Sequence, residues 1–140
     1  MDFFYHRGIY LLEVRLLCKE RISIGCLGDY SFAPGFYYYS GSAWQGLESR
    51  LRRHLREEKP LYWHIDYLLE YGRVERIFVW PHERERECSL ATGLLDQGLE
   101  MPVTGFGASD CSCNTHLFYS PASLEMVTLL AEGKEIVIEQ

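Results

Sequence analysis

The chain has 140 residues, 47% of them hydrophobic and 24% charged, and carries a formal net charge of −6. This composition is typical of one folded domain and excludes a disordered chain, and no apolar run approaches the roughly 20 residues of a membrane-spanning helix. The negative charge argues against generic, charge-driven coating of nucleic acid. Five irregularly spaced cysteines and the absence of a signal-peptide pattern indicate a reduced, cytoplasmic protein.

Three strands are predicted before the first helix. Residues 8–17 alternate as a half-buried strand does, and a polar connection leads to a second strand at 21–27, so we expect a hairpin. Residues 28–35 contain glycine, aspartate, serine and proline, which are typical of a loop. The aromatic segment that follows is predicted to be the third strand and to end at Gly41.

The hydrophobic period changes after the third strand. Leucines then recur at four-residue intervals, which predicts a helix over about residues 44–57. Pro60 breaks this helix, and a second helix is predicted from Leu61. A strand over residues 73–80 and a third helix that opens at Pro81 follow.

The remainder of the chain is less regular. After Met101 the sequence is rich in glycine and cysteine, with a short helix predicted over residues 121–132 and a last strand at EIVIE. We therefore expect one α+β domain over residues 1–140, with a small antiparallel or mixed central sheet flanked by helices. Its core would span about residues 8–97, and residues 98–140 would form a Cys/Gly-rich C-terminal extension.

Positive charge is concentrated in one short segment. Five basic side chains fall between residues 50 and 59, whereas acidic residues cluster at 83–87 and after Glu125. A local basic face on an acidic protein suits a small phosphate contact better than tracking along a duplex.

Several motifs occur in a set order on these elements. Gly8-Ile9-Tyr10 lies on the first strand, and Tyr39-Ser40-Gly41 ends a later one. A helix with Arg50 and His54 follows, and Glu87 opens the third helix. This order resembles the GIY-YIG nuclease superfamily, and nearly the whole sequence resembles its small stand-alone branch labelled Uri-type endonucleases.

The resemblance implies a metal-dependent endonuclease that hydrolyses phosphodiester bonds in nucleic acid, with DNA favoured over RNA as the substrate. It implies that Tyr10 activates or orients water, that Arg50 stabilises the phosphate, and that Glu87 binds Mg²⁺ or Mn²⁺. A single carboxylate suits Mg²⁺, which keeps several waters. Tyr39 is implied to be a catalytic residue beside Tyr10. His54 is also a predicted catalytic residue, because it shares a helix face with Arg50 and both can approach the same phosphate. Further basic residues would hold the nucleic acid: Arg52, Arg53, Arg56 and Lys59.

Each residue also has a structural interpretation. Tyr10 alternates with core residues, Arg50 could be an ordinary surface arginine, and Glu87 could favour the dipole at a helix start. The functional interpretation of Glu87 is preferred because it lies beside an apolar stripe, where an unpaired carboxylate is costly. His64 and Asp66 are expected to pack and hydrogen-bond beneath the basic helix.

The C-terminal cysteines form a second candidate site. Cys111, Cys113 and His116, with Cys88, have the ligand types of a Cys₃His zinc site. The C-x-C spacing is less typical than C-x₂-C, so buried thiols with a loop-capping histidine are the alternative. His116 could instead support the nuclease pocket together with Asp110.

Three functions therefore stay open. The first is a Mg²⁺-dependent endonuclease, and the second is a nucleic-acid-binding module of the same fold with little or no cleavage. The net charge favours the second, as does the lack of the asparagine that often follows the glutamate helix in the superfamily, whereas the intact GIY, Y-x-G, arginine and glutamate favour the first. The third is a structural partner protein stabilised by zinc. Specificity would come from a protein partner, from oligomerisation or from the C-terminal extension.

Overall fold

The computed structural model describes residues 1–81, 89–90, 93–108, 115–125 and 133–138. The strands are β1 (Gly8–Leu16), β2 (Glu20–Ser23), β3 (Asp29–Phe32), β4 (Gly35–Ala43), β5 (Arg73–Pro81), β6 (Leu117–Ser120) and β7 (Lys134–Ile136). The helices bounded within the described residues are α1 (Leu47–Leu55) and α2 (His64–Leu69), residues 89–90 and 93–96 are also helical, and a 3₁₀ turn covers Gly25–Leu27. In these ranges no helix is long and apolar enough to cross a membrane.

A five-stranded antiparallel sheet, in the order β6-β4-β1-β5-β7, forms the centre of the protein. β1 is the middle strand and pairs along its whole length with β4, from Gly8 opposite Ala43 to Leu16 opposite Gly35. The fold is α+β, as the sequence predicted. Because β6 and β7 are the two edge strands, these parts of the predicted C-terminal extension belong to the central sheet.

The sheet is covered on both faces, and alternation along its strands decides which residue lies where. On one face, Tyr10 and Leu12 of β1 belong to the cluster that includes Leu51 of α1 and Ile65 of α2. On the other face, neighbouring residues of β1 belong to a second cluster that includes Trp80. The tyrosines of β4 divide in the same way: Tyr37 and Tyr39 lie in the first cluster, and Tyr38 lies in the second.

The predicted hairpin between the first two strands is wrong. Both neighbours of β1 are other strands, β4 and β5, whereas β2 pairs with β3 in a separate two-stranded sheet. The loop predicted at residues 28–35 is wrong for Asp29–Phe32, which form β3. This small ribbon buries few side chains, among them Ile22 and Phe32, so its polar composition looked like that of a loop.

The boundaries of other elements differ from the predicted ones. The first predicted helix begins later and ends earlier, at Leu47 and Leu55, and the second begins at His64. Pro81 is the last residue of β5, and the predicted third helix falls partly outside the described residues. Residues 121–125 are not helical, while residues 126–132 lie outside the described part of the chain. β6 had no predicted counterpart.

A buried ion pair joins the sheet to residues 121–125 on the face opposite α1. Glu13 is 2% exposed and accepts two hydrogen bonds from Arg76, at 2.9 and 2.6 Å. Tyr38 and Ser123 each donate a further hydrogen bond of 2.7 Å to the same carboxylate. These donors compensate for the loss of water around a buried charge.

We expect acid to weaken the fold through Glu13. Burial alone raises the pKa of this carboxyl, but hydrogen bonds from Arg76, Tyr38 and Ser123 bring the pKa below its ordinary value of 4.5. A pKa that is lower in the folded state adds stability above the unfolded value, and this is lost as the pH falls through the folded value. Urea unfolding at a series of acidic pH values should show this loss. Glu13→Gln should flatten the pH dependence below 4.5, and an unchanged slope would contradict the assignment.

Candidate active site

Three of the predicted site residues meet on the face of the sheet that α1 covers. Tyr10 of β1 lies opposite Gly41 of β4, and its hydroxyl is 2.8 Å from Nε2 of His54 on α1. The ring centroids of Tyr10 and Tyr39 are 6.3 Å apart, and those of Tyr39 and His54 are 6.4 Å apart. The structure therefore confirms that Tyr39 lies beside Tyr10 and shows that His54 joins them.

Gly41 makes room for the ring of Tyr10. A β-carbon at position 41 would lie 2.5 Å from both the hydroxyl oxygen and Cζ of Tyr10, which is closer than such atoms can approach. The glycine of the tyrosine–glycine motif is thus required by a side chain on the neighbouring strand. Gly107 has a similar role for Tyr39, because a β-carbon there would lie 2.9 Å from Cε1 of the ring.

His54 is a buried, neutral imidazole. Its side chain is 3% exposed, and burial lowers its pKa to about 3. Asp66 opposes this shift, whereas the positive charges of Lys59, Arg50 and Arg53 add to it. Nδ1 is buried and has no hydrogen-bond partner among the described residues. Nε2 is therefore the ring nitrogen of His54 that forms a hydrogen bond, and its partner is the Tyr10 hydroxyl.

We expect His54 to stay neutral far into the acid range. Its pKa is about 3 in the folded protein, below the ordinary 6.5, so the unfolded chain binds more protons between these values. The free energy of unfolding should therefore decrease as the pH falls below 6.5. An NMR titration of the imidazole resonances checks this. A His54 resonance that titrates near its ordinary pKa would contradict the assignment.

Trp63 holds Arg50 at the same end of the sheet. The Arg50 guanidinium carbon lies 4.3 Å from the centroid of the Trp63 ring, a cation–π arrangement. Nη1 of Arg50 donates a 2.9 Å hydrogen bond to the carbonyl oxygen of Ser42, close to the pairing of Gly8 with Ala43. The ring centroid of Trp63 is also 5.9 Å from that of His54. The sequence analysis did not single out Trp63, for which the only signal was an aromatic residue close to the arginine cluster.

Arg53 is bound within the protein. Its guanidinium forms a bidentate ion pair with Asp66, at 2.9 and 3.0 Å, and donates to the carbonyl oxygen of Pro60. Asp66 is fully buried and also accepts hydrogen bonds from the backbone N–H groups of Tyr62 and Trp63. The predicted structural role of Asp66 beneath the basic helix is confirmed, and the pair fixes α2 against α1.

Two more polar residues have internal partners. Nζ of Lys59 lies within 3.2 Å of the carbonyl oxygens of Arg53, His54 and Arg56, where its charge complements the C-terminal end of α1. Nδ1 of His64 accepts a 2.8 Å hydrogen bond from the backbone N–H of Gly107. The predicted structural role of His64 is confirmed, and Lys59 caps the helix in addition to any role toward nucleic acid.

An open groove of about 990 Å³ lies beside Arg50. Its walls are the segment of residues 2–6, the first turns of α1, and Trp63, with arginines at positions 50, 52, 53 and 56. Arg52 and Arg56 are exposed, and Arg52 pairs with Glu48 at 3.0 Å. An exposed pair of this kind contributes only about 0–1 kcal/mol, so it competes weakly with a ligand.

One protein-family model matches nearly the whole sequence. The family model described as "Domain of unknown function DUF123" matches residues 9–138. The chain belongs to the DUF123 family. Neither a curated protein nor a solved structure matches this DUF123 chain. Its site is therefore interpreted from its own residues.

The metal ligands predicted for the DUF123 chain fall mainly on residues that are not described. Glu87, Cys88, Cys111 and Cys113 lie outside the described ranges, as does Asp110. His116 is buried, and its Nδ1 lies 2.7 Å from the Ser40 hydroxyl. Within the described part of the chain, no three His, Cys, Asp or Glu side chains are grouped to hold a metal ion. The magnesium and zinc sites stay predictions.

Proposed function

We propose that this DUF123 protein is a metal-dependent endonuclease that hydrolyses phosphodiester bonds in nucleic acid, in DNA more than in RNA. The observation that carries the proposal is the 2.8 Å contact between the Tyr10 hydroxyl and buried His54, next to Arg50 and its groove. Phosphodiester hydrolysis needs a group that takes a proton from water and a cation against the phosphate oxygens. Tyr10 and Arg50 are suited to these two roles.

The surroundings of His54 favour one tautomer. A buried N–H group without an acceptor is rarer in proteins than a buried lone pair without a donor. Since Nδ1 is buried without a partner among the described residues, the proton is favoured on Nε2. Nε2–H then donates to the Tyr10 oxygen. This hydrogen bond stabilises negative charge on that oxygen, which is the form that accepts a proton from water.

Arg50 is suited to bind the reacting phosphate. Its planar guanidinium carries paired N–H donors that match the geometry of phosphate oxygens. Trp63 and the Ser42 carbonyl hold it in place before a substrate arrives, so little reorganisation is needed in the transition state. Tyr39 packs against both Tyr10 and His54 and would keep the Tyr10 ring in position.

Glu87 is the proposed ligand of Mg²⁺ or Mn²⁺. A bound divalent cation supplies Lewis-acid stabilisation of the phosphate charge. One carboxylate is sufficient for Mg²⁺, because waters and substrate phosphate complete its coordination. β5 ends at Pro81, which pairs with Gly8 at the end of the sheet where Arg50 reaches Ser42. The chain therefore enters the segment with Glu87 from this end of the sheet.

The second candidate function is a nucleic-acid-binding module with little or no cleavage. It is favoured by the burial of Tyr10, which is 1% exposed, so that little of its hydroxyl faces solvent. The internal ion pair of Arg53 also reduces the charge available for substrate. Under this function the groove would bind nucleic acid without assembling a reactive water.

A panel of single-stranded, double-stranded, branched and flapped substrates, with Mg²⁺ or Mn²⁺, tests the proposal. Cutting or nicking is expected, and Glu87→Ala and Arg50→Ala should each abolish it. Arg73→Ala is the matched control, because Arg73 is an exposed arginine at the opposite end of the sheet. Binding without cutting of any substrate would replace the endonuclease with the binding module.

A further inference from the structure

The groove beside Arg50 has exposed aromatic rings near its arginines. Phe4, one of the lining residues, is 47% exposed, and Tyr62 is 76% exposed. Tyr62 lies next to the groove, since its ring centroid is 5.3 Å from that of the lining residue Trp63. Large apolar rings beside guanidinium groups on an otherwise acidic protein indicate a ligand with both flat and anionic parts.

Phe4 is held outward by a strained backbone. Its φ angle of 63° is the one positive value of a non-glycine residue in the described ranges. The Asp2 carboxylate accepts a 2.8 Å hydrogen bond from the Phe4 N–H. Leu47 N–H donates to the His6 carbonyl oxygen and ties the segment to α1. The preceding ring, Phe3, is buried under the guanidinium of Arg52, so the turn buries one phenylalanine and exposes the next. Such strain commonly marks a binding surface.

The charges of the groove favour phosphate groups in spite of the net charge of −6. Four arginines line it, and of these Arg53 is neutralised by Asp66 and Arg52 is weakly paired with Glu48. The remaining two, Arg50 and Arg56, carry no ion pair among the described residues. Guanidinium groups bind phosphate oxygens through paired N–H donors, and aromatic rings stack on bases.

We propose that the groove binds single-stranded nucleic acid, with phosphates on Arg50, Arg52 and Arg56 and bases stacked on Phe4 and Tyr62. In a duplex the base faces are already stacked on one another and cannot contact these rings. Tight binding to a duplex without base stacking needs many phosphate contacts, which this acidic chain does not offer. The inference rests on the proposed function, because the bound strand would pass Arg50 on its way to Tyr10.

Binding is measured by fluorescence anisotropy on Glu87→Ala protein without divalent metal, so that cleavage does not interfere. The probes are labelled oligothymidine, oligouridine and a hairpin duplex of equal charge. Single strands are expected to bind at least about tenfold more tightly than the duplex. Phe4→Ala and Tyr62→Ala should weaken single-strand binding about five- to 150-fold, as loss of a stacking ring does. Tyr71→Ala is the control, because Tyr71 is an exposed tyrosine that, unlike Tyr62, has no ring contact with a lining residue of the groove in the described ranges.

The contribution of the arginines to phosphate binding is tested by a separate measurement. Arg56→Ala should weaken binding to all three probes and lower the slope of log K against log salt by about 0.7 for single strands. Equal or tighter binding to the duplex would overturn the inference, and so would single-strand binding that Phe4→Ala and Tyr62→Ala leave unchanged. Single-strand binding by a wild-type protein that never cuts supports the inference and rejects the endonuclease. Cleavage with no single-strand preference rejects the inference alone.

Discussion

Tyr10→Phe is expected to lower the rate of cleavage by about 10²- to 10⁴-fold, the usual contribution of a positioned proton-transfer group. Phenylalanine fills the same space against Gly41, so the packing of β1 and β4 is kept. The substitution removes the oxygen that lies 2.8 Å from Nε2 of His54. Because the proposed mechanism uses this oxygen to accept a proton from water, the chemical step should slow while binding of nucleic acid persists.

Single-turnover rates with Mg²⁺ and the best substrate of the panel provide the measurement. Tyr37→Phe is a matched control, since Tyr37 is also buried on the α1 face but donates its hydrogen bond to the Ala33 carbonyl. Its removal should leave the rate unchanged. A folded Tyr10→Phe protein that cuts at the wild-type rate would remove Tyr10 from the mechanism.

Asp66→Ala is expected to reduce the free energy of unfolding by about 3–5 kcal/mol, which is typical when one partner of a buried ion pair is removed. The Asp66 side chain is 0% exposed, and the Arg53 side chain is only 22% exposed, so the arginine would keep a poorly solvated charge. The backbone N–H groups of Tyr62 and Trp63 would lose their acceptor as well. The contact between α1 and α2 should therefore loosen.

Urea unfolding at neutral pH measures this loss. Glu48→Ala is the control, because it removes an ion pair on the same helix whose two side chains are both more than half exposed. An exposed pair contributes about 0–1 kcal/mol, so this variant should unfold nearly as the wild type does. Equal effects of the two substitutions would show that Asp66 does not fix α2 against α1.

The sequence predicted those parts of the fold that depend on local patterns. Alternation identified β1, the aromatic residues of one segment identified β4, and the four-residue spacing of leucines identified α1, because these signals follow from backbone geometry and strand propensity. The resemblance to the GIY-YIG nucleases, which the order of motifs supports, implied that Tyr39 would lie beside Tyr10. The register of β1 with β4, in which Tyr10 lies opposite Gly41, is consistent with that arrangement.

Local sequence patterns could not predict which distant strands pair with one another. The partner of β2 was misassigned because its true partner, β3, was predicted to be a loop, which left β1 as the neighbouring strand; both sides of β1 are in fact taken by β4 and β5. β6 was missed because it is a four-residue edge strand within a glycine- and cysteine-rich region. Short edge strands owe their conformation to the strand beside them, so their own sequence carries little signal.

The sequence by itself determined the α+β class, the central strands and the concentration of arginines on one helix. Only the tertiary structure decided what each arginine does. Both Arg50 and Arg53 stack on Trp63, but Arg53 is paired with buried Asp66, whereas Arg50 donates to the carbonyl oxygen of Ser42. It also decided that His54 is neutral, because burial and, to a lesser extent, neighbouring positive charges lower its pKa. Charge state and hydrogen-bond partners depend on which distant residues come into contact, and periodicity along the chain does not record those contacts.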